Sequence, residues 1–349
     1  MSSLPAGSTP TRVWVSVVQS PAHDIEDHPE NAGRFRHLQT SIDSLPSERV
    51  EVVAAPQSDE ARLVRVHPLS YLTALRSATA QGPAIIDFAP TYVTPSSYED
   101  ALLAAGAAID VAAAVWERHA SAGFALIRPP GHHATPTRAM GFCLLNNIAI
   151  AARHVQSLGC KRLMIVDIDV HHGNGTQEVF EADPSVLYLS THQFGIYPGS
   201  GDLGETGEGA GKGTVVNLPL PPRAGDAALI AALEQIAIPL ALRFRPEMIL
   251  VSAGFDTHWA DPLANLITTC SGSYRLVRLL AELAGTICGG RLCLFLEGGY
   301  DPEALAGCVE GALHALAGLE APVDPLGPPP YQETDIERVL ASARSLHGL

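Results

Sequence analysis

The stretch from Leu163 to Gly175, Leu-Met-Ile-Val-Asp-Ile-Asp-Val-His-His-Gly-Asn-Gly, constrains this chain more than any other segment. Its first four residues form an unbroken apolar run, which reads as a strand buried on both faces, as in a parallel sheet covered by helices. In a strand, side chains at i, i+2 and i+4 share a face, so Asp167, Asp169 and His171 are expected to point the same way. Acids at the end of so apolar a strand are expensive to bury unless they are paired or hold a cation. A bound metal is the economical explanation.

The rest of the chain repeats the strand-then-helix alternation. Strands are expected over 12–18, 50–54, 123–127, 162–168, 186–190, 215–218, 248–252 and 292–296, and helices over 97–119, 144–156, 226–243, 272–287 and 302–319. Ser96-x-x-Glu99 has the form of a capping box opening the first of these helices. A Pro-rich connector at 321–330 precedes a last amphipathic helix with Ile336, Val339, Leu340 and Leu346 on one side. This pattern predicts an α/β fold: one domain over residues 1–349, with a mostly parallel central sheet and helices on both faces.

Composition excludes some functions. With 22 Lys and Arg against 37 Asp and Glu, a net charge of −15 argues against gripping nucleic acid or an anionic membrane. Met1 to Thr11 has no basic and apolar leader pattern, and the longest apolar runs, near 101–115 and 227–242, read as too short and too charged to span a bilayer. Six scattered cysteines without a C-x-x-C pair suit reduced thiols. The expectation is a soluble, cytoplasmic protein, with a homo-oligomer left open.

Four of the strands end in chemically capable residues. Phe124 to Ile127 leads to His132 and His133, Leu163 to Val166 to Asp167, Asp169 and His171, Ile249 to Val251 to Asp256, and Leu294 to Leu296 to Glu297 and Tyr300. In an open parallel sheet, ligands bind beyond the carboxyl ends of the strands, so the four clusters should converge on one crevice. Singly, each has a plain explanation: a capped strand end, surface imidazoles, an N-cap aspartate, a core tyrosine. Jointly, these would all have to fall at strand ends by chance. One imidazole and two carboxylates with an open position suit catalytic Zn²⁺, and also admit Fe²⁺ or Mn²⁺. Such an ion, with two further imidazoles and a phenol, has the parts for metal-assisted hydrolysis of an amide.

The same residues resemble a known family. Arg128-Pro-Pro-Gly-His132-His133, Gly141-Phe142-Cys143, Asp167-Ile-Asp169-Val-His171-His172-Gly-Asn174-Gly, Ala253-Gly-Phe-Asp256 and Glu297-Gly-Gly-Tyr300 are similar to the signature blocks of the histone deacetylase family, in its class II-like and bacterial amidohydrolase branch. The resemblance runs in order from His28-Pro29-Glu30 to beyond Tyr300. It implies an arginase/deacetylase-like fold, a single Zn²⁺ on Asp169, His171 and Asp256, His133 as general base and acid, and His132 paired with Asp167. It further implies Tyr300 as oxyanion donor and Phe142 and Tyr197, beside Gly141, as walls of an acyl-chain channel. The backbone carbonyls of Asp167, Asp169 and His171 with Ser190 would form a structural potassium site. The implied substrate is an acylated lysine or a small acylated amine.

Three positions depart from common family patterns. Tyr197 stands in place of the more usual Phe, which makes the channel more polar. Asn174 stands where many members have an Asp behind the second histidine, so no carboxylate supports His133 there. Leu263 occupies the position at which polyamine deacetylases carry a gatekeeper Glu, which weakens an acetylpolyamine as substrate. Gly199-x-Gly201-x-x-Gly204 and the run Gly209 to Thr214 are poor nucleotide motifs, because the first follows no strand and the second has Gly213 where Ser or Thr must follow Lys212. The loop containing them, 192–213, is a candidate rim. Two rivals remain: a binuclear manganese ureohydrolase, whose chemistry wants Asp where Gly173 stands, and a silent acyl-amine binding protein, which has no need of Tyr300.

Overall fold

The computed structural model describes residues 12–349, so the leader reading of residues 1–11 lies outside the described residues. In chain order the strands are β1 (Val13–Val18), β2 (Val50–Val53), β3 (Ala84–Ile85), β4 (Tyr92–Val93), β5 (Ala122–Ile127), β6 (Leu163–Asp167), β7 (Val186–Gln193), β8 (Val215–Leu220), β9 (Met248–Ala253) and β10 (Leu292–Leu296). The helices are α1 (Leu38–Asp43), α2 (Glu60–Leu63), α3 (Leu69–Ala80), α4 (Ser97–Trp116), α5 (Asn147–Ser157), α6 (Asn174–Phe180), α7 (Asp226–Ala232), α8 (Ile238–Phe244), α9 (Cys270–Ile287), α10 (Pro302–Ala317) and α11 (Glu337–His347).

Eight strands form one sheet in the order β2-β1-β5-β10-β9-β6-β7-β8, every pair parallel. The expected α/β architecture is present. Alternate residues of each central strand feed opposite layers. Phe124, Leu126, Met164 and Val166 pack with Leu276 of α9 and Val309 of α10, whereas Ala125, Ile127, Leu163 and Ile165 pack with Ile109 of α4 and Ile148 of α5. That two-sided burial is why these strands carry no polar alternation.

The four strands with chemically capable ends, β5, β10, β9 and β6, are contiguous at the centre of the sheet. Their carboxyl ends therefore open side by side.

Several local expectations are corrected. Ser96 is already in a helical conformation (φ −89°, ψ −15°) and makes no side-chain cap, so the capping box does not form. The Ser97 hydroxyl instead accepts from the Thr94 amide at 2.7 Å, and Glu99 pairs with Gln57. Helix α5 starts at Asn147, because the Asn146 carboxamide caps it by accepting from the Ala149 amide. The helix expected over 226–243 is interrupted by a π-helical turn, Leu233–Ala237, just before Pro239. The segment Asp226–Phe244 is, by length and composition, apolar enough to cross a membrane, contrary to the reading from sequence; here Leu229, Leu233, Ile236 and Leu240 join one layer of the core. In α11, Leu346 is exposed and Leu340, Ala343 and His347 face inward. The helices α1–α3 and α6 and the β3–β4 hairpin were not expected.

Candidate active site

Strand β6 ends at Asp167, so Asp169 and His171 lie in the turn beyond it rather than on a shared strand face. The turn is made by the acids themselves: Asp167 Oδ1 accepts from the Asp169 amide at 3.2 Å, and Asp169 Oδ1 from the His171 amide at 2.8 Å. The three side chains expected to point together thus separate. Asp167 Oδ2 turns to His132 Nδ1 at 3.1 Å and accepts from the Tyr188 hydroxyl at 3.2 Å. Asp169 and His171 meet Asp256, delivered by the end of β9.

His171 Nδ1 lies 3.1 Å from both Asp169 Oδ1 and Asp256 Oδ2, and the three potential ligand atoms all lie within 4.8 Å of one another. Both aspartates are fully buried and His171 is partly open to the cavity. Two carboxylates facing one ring nitrogen, with an open side, match a three-ligand catalytic metal position. The backbone is built around these acids. A Cβ on Gly254 would stand 2.0 Å from Asp169 Oδ2, and one on Gly298 2.1 Å from Asp256 Oδ2. Only glycine leaves room for the carboxylates at those two positions.

The two imidazoles beyond β5 are set differently. His132 faces Asp167; burial alone lowers its pKa, but the charges of Asp167, Asp169 and Glu297 outweigh that and hold it up at about 10. His133 Nδ1 lies 2.8 Å from Asn174 Oδ1. A carboxamide oxygen only accepts, so Nδ1 carries the proton and Nε2 keeps its lone pair. Burial, then the neighbouring His132 and His171, push the His133 pKa well below its usual value. Glu297, at the end of β10, fixes this loop by accepting from the Gly131 amide at 2.7 Å and the His132 amide at 3.1 Å. Burial raises its own pKa to about 7.

Tyr300 follows Gly298-Gly299, and burial lifts its pKa well above the usual value, so its phenol remains a proton donor. His133, Gly141, Phe142, His171, Tyr197, Leu263 and Tyr300 all line one cavity of about 330 Å³. Phe142 and Tyr300 meet edge to face at 5.9 Å, and Tyr197 meets His133 at 5.0 Å. Gly141 is required between them. A Cβ there would lie 2.4 Å from the His133 ring and 2.9 Å from Tyr197, and the backbone is left-handed (φ +55°). Of the glycine-rich segment 192–213, Tyr197 reaches the cavity; Gly201 lies against His172 and His192 instead.

Sequence reasoning missed two groups. Phe88, Ala89 and Pro90, in the turn between β3 and β4, line the mouth, with Phe88 80% exposed and edge-on to Tyr197 at 6.1 Å. Behind the site, buried Arg34 donates to the carbonyls of Gly299 and Glu297, both at 2.7 Å, and its guanidinium lies 4.8 Å above the Tyr300 ring. Glu30 binds Arg34 and Arg128 at 3.1 and 2.6 Å. The i,i+4 spacing of Glu30 and Arg34 reads in sequence as an ordinary surface pair.

Comparisons with known proteins agree with this geometry. Residues 28–316 match the model of the histone deacetylase domain. The chain is 39% identical to histone deacetylase 14, chloroplastic, of Arabidopsis thaliana, over 97% of this chain and 85% of that protein. It is 37% identical to the histone deacetylase-like amidohydrolase of Pseudomonas aeruginosa, over 93% of this chain and 83% of that one. The crystal structure of the HDA15 HD domain superposes with a TM-score of 0.87 and 32% identity, covering 97% of this chain and 95% of its own. With its eight-stranded parallel sheet and the cavity at the carboxyl ends of β5, β10, β9 and β6, the chain belongs to the histone deacetylase family of deacetylases and amidohydrolases.

Proposed function

We propose that this protein is a zinc-dependent deacetylase that cleaves an acyl group, acetyl foremost, from an acylated primary amine such as acetyl-lysine. The observation that carries the reading is the shared cavity: the open side of the Asp169–His171–Asp256 cluster, the His133 ring and the Tyr300 ring all border it. One Zn²⁺ on those three ligands would supply a Lewis acid that polarises the acyl carbonyl and acidifies the attacking water. His133 Nε2, left bare by the Asn174 contact, takes the proton of that water as its oxygen adds to the carbonyl carbon. Tyr300 donates to the oxygen on which charge develops. The C–N bond then breaks, the proton held by His133 passes to the leaving amine, and the remaining acid proton follows, giving a protonated amine and a carboxylate. His132, held on Asp167, keeps a positive charge near the site.

Potassium beside the same turn is part of the proposal. His192 Nε2 lies 3.0 Å from the Gly201 carbonyl, so it carries the proton and Nδ1 accepts. The Ser190 hydroxyl, 2.9 Å from Nδ1, must then donate to it, which leaves the Ser190 oxygen lone pairs for a cation held with the carbonyls of Asp167, Asp169 and His171.

The ureohydrolase alternative meets a steric obstacle. Its Asp would replace Gly173, where even a Cβ would stand 2.1 Å from Asp167 Oδ2. A metal count separates the two: one Zn²⁺ per chain supports deacetylation, and two bridged Mn²⁺ would establish the rival.

Substrate choice follows from the mouth. Leu263 presents no charge to a second amine, which favours a lysine-type amide over an acetylpolyamine. The test is turnover of acetyl-lysine peptide, acetylputrescine, acetylspermidine and longer acyl-lysines by zinc-loaded protein. Acetyl-lysine is expected to be hydrolysed fastest; faster hydrolysis of the polyamines would refute the substrate assignment.

A further inference from the structure

Tyr300 follows two glycines, Gly298 and Gly299, the second left-handed at φ +122°. A chain so free at its approach does not aim a side chain by itself, so the direction of the phenol depends on what holds its peptide. Two anchors lie before it: the Gly298 amide donates to Asp169 Oδ2 at 2.8 Å, and Arg34 takes the Gly299 carbonyl. The third is on Tyr300 itself. Its amide donates to Asp261 Oδ2 at 2.7 Å, from a residue 39 positions earlier in the chain.

Asp261 is only 6% exposed. Its other oxygen, Oδ1, accepts from the Leu263 amide at 2.9 Å, and its own amide donates to the His258 carbonyl at 2.9 Å. The bond to Leu263 closes a local turn that fixes the orientation of the carboxylate. The bond to Tyr300 uses that orientation. One buried carboxylate thus spans two walls of the cavity, Leu263 at the mouth and Tyr300 at the reacting end.

We propose that Asp261 is a positioning residue, which touches no substrate and sets the aim of the Tyr300 phenol through the backbone amide. A backbone tilt of about 10° carries the tip of a tyrosine through roughly 1 Å, and a misplacement of that size costs about 100-fold in rate. The inference rests on the deacetylase reading for its kinetic part and on geometry alone for the tether.

The experiment compares Asp261→Asn and Asp261→Ala, each alone and in a Tyr300→Phe background, in the zinc-loaded full chain. On acetyl-lysine peptide, Asp261→Ala is expected to lower kcat by about 10- to 100-fold with KM within threefold. Asp261→Asn, which keeps one acceptor, is expected to lose less. In the Tyr300→Phe background neither change should lower kcat by more than about twofold, since the group they position is gone. An equal loss in both backgrounds, or an effect on KM alone, would overturn the proposal. Amide hydrogen exchange gives a readout independent of activity. The segment 298–304 should exchange at least about tenfold faster in Asp261→Ala, which leaves the Tyr300 amide no acceptor, while 163–170 stays protected; unchanged exchange at 298–304 in that variant would also overturn it. If the native protein hydrolyses no acylated amine, the deacetylase reading fails, and exchange still decides the tether.

Discussion

His133 Nδ1 stands 2.8 Å from Asn174 Oδ1, so the proposed general base is held by a neutral carboxamide that fixes its tautomer without adding charge. Two substitutions separate these effects. Asn174→Ala removes the orienting acceptor and is expected to lower kcat by about 10- to 100-fold. Asn174→Asp adds a negative charge beside the imidazole, which favours its protonated form; the acid limb of kcat/KM should therefore move to higher pH, by about one unit. A pH–rate profile of the three proteins checks both.

Gly298 borders the Asp169–His171–Asp256 cluster with no room to spare, its hypothetical Cβ falling 2.1 Å from Asp256 Oδ2. Gly298→Ala is expected to displace that carboxylate and weaken Zn²⁺ binding by at least about 10-fold. Competition against a chromophoric chelator measures it, and undiminished affinity would remove Asp256 from the ligand set.

At the mouth, Phe88 is exposed yet lies edge-on to Tyr197. Contact with substrate there acts equally in the ground and transition states, so Phe88→Ala should raise KM about fivefold, the worth of about 1 kcal/mol of aromatic contact, with kcat and Tm unchanged. Leu263→Glu tests the other side of the mouth. It should raise the ratio of acetylspermidine to acetyl-lysine kcat/KM by about fivefold, the worth of a partly exposed ion pair.

Stability toward acid has an identifiable contributor away from the Asp169–His171–Asp256 cluster. Burial holds His67 down at about 4, although its bond to the Pro136 carbonyl raises it. In the unfolded chain it titrates near about 6.5. Between those values the unfolded state binds the extra proton, so the stability from keeping His67 neutral is complete above about pH 6.5 and is lost as pH falls towards 4, at most about 3 kcal/mol. Urea unfolding at pH 7 and pH 4.5 should show a smaller drop for His67→Gln than for the native protein.

The site was legible in sequence because its strands are. Each of β5, β6, β9 and β10 is an apolar run followed within a few residues by His, Asp, Glu or Tyr, and their adjacency in the sheet turns four sequence coincidences into one cavity. Asp167 shows the limit of periodicity. Two-residue alternation predicts a shared face only while the strand lasts, and β6 stops at that residue. Phe88 and Pro90 lay beyond reach because the β3–β4 hairpin that presents them has two-residue strands, too short to alternate. Arg34 escaped notice, and Glu30 entered only as the start of the His28-Pro29-Glu30 resemblance, because burial of an ion pair leaves no mark on its spacing. Asp261 was given no role from sequence, since the bond that gives it one crosses 39 positions.

The most direct test of the account is acetate release from an acetyl-lysine peptide while metal-free protein is titrated with Zn²⁺. Activity should rise linearly, saturate at one equivalent per chain, disappear on chelation, and fall by at least about 100-fold in Tyr300→Phe. Release that ignores chelation, requires two metals per chain, or persists undiminished in Tyr300→Phe would contradict it.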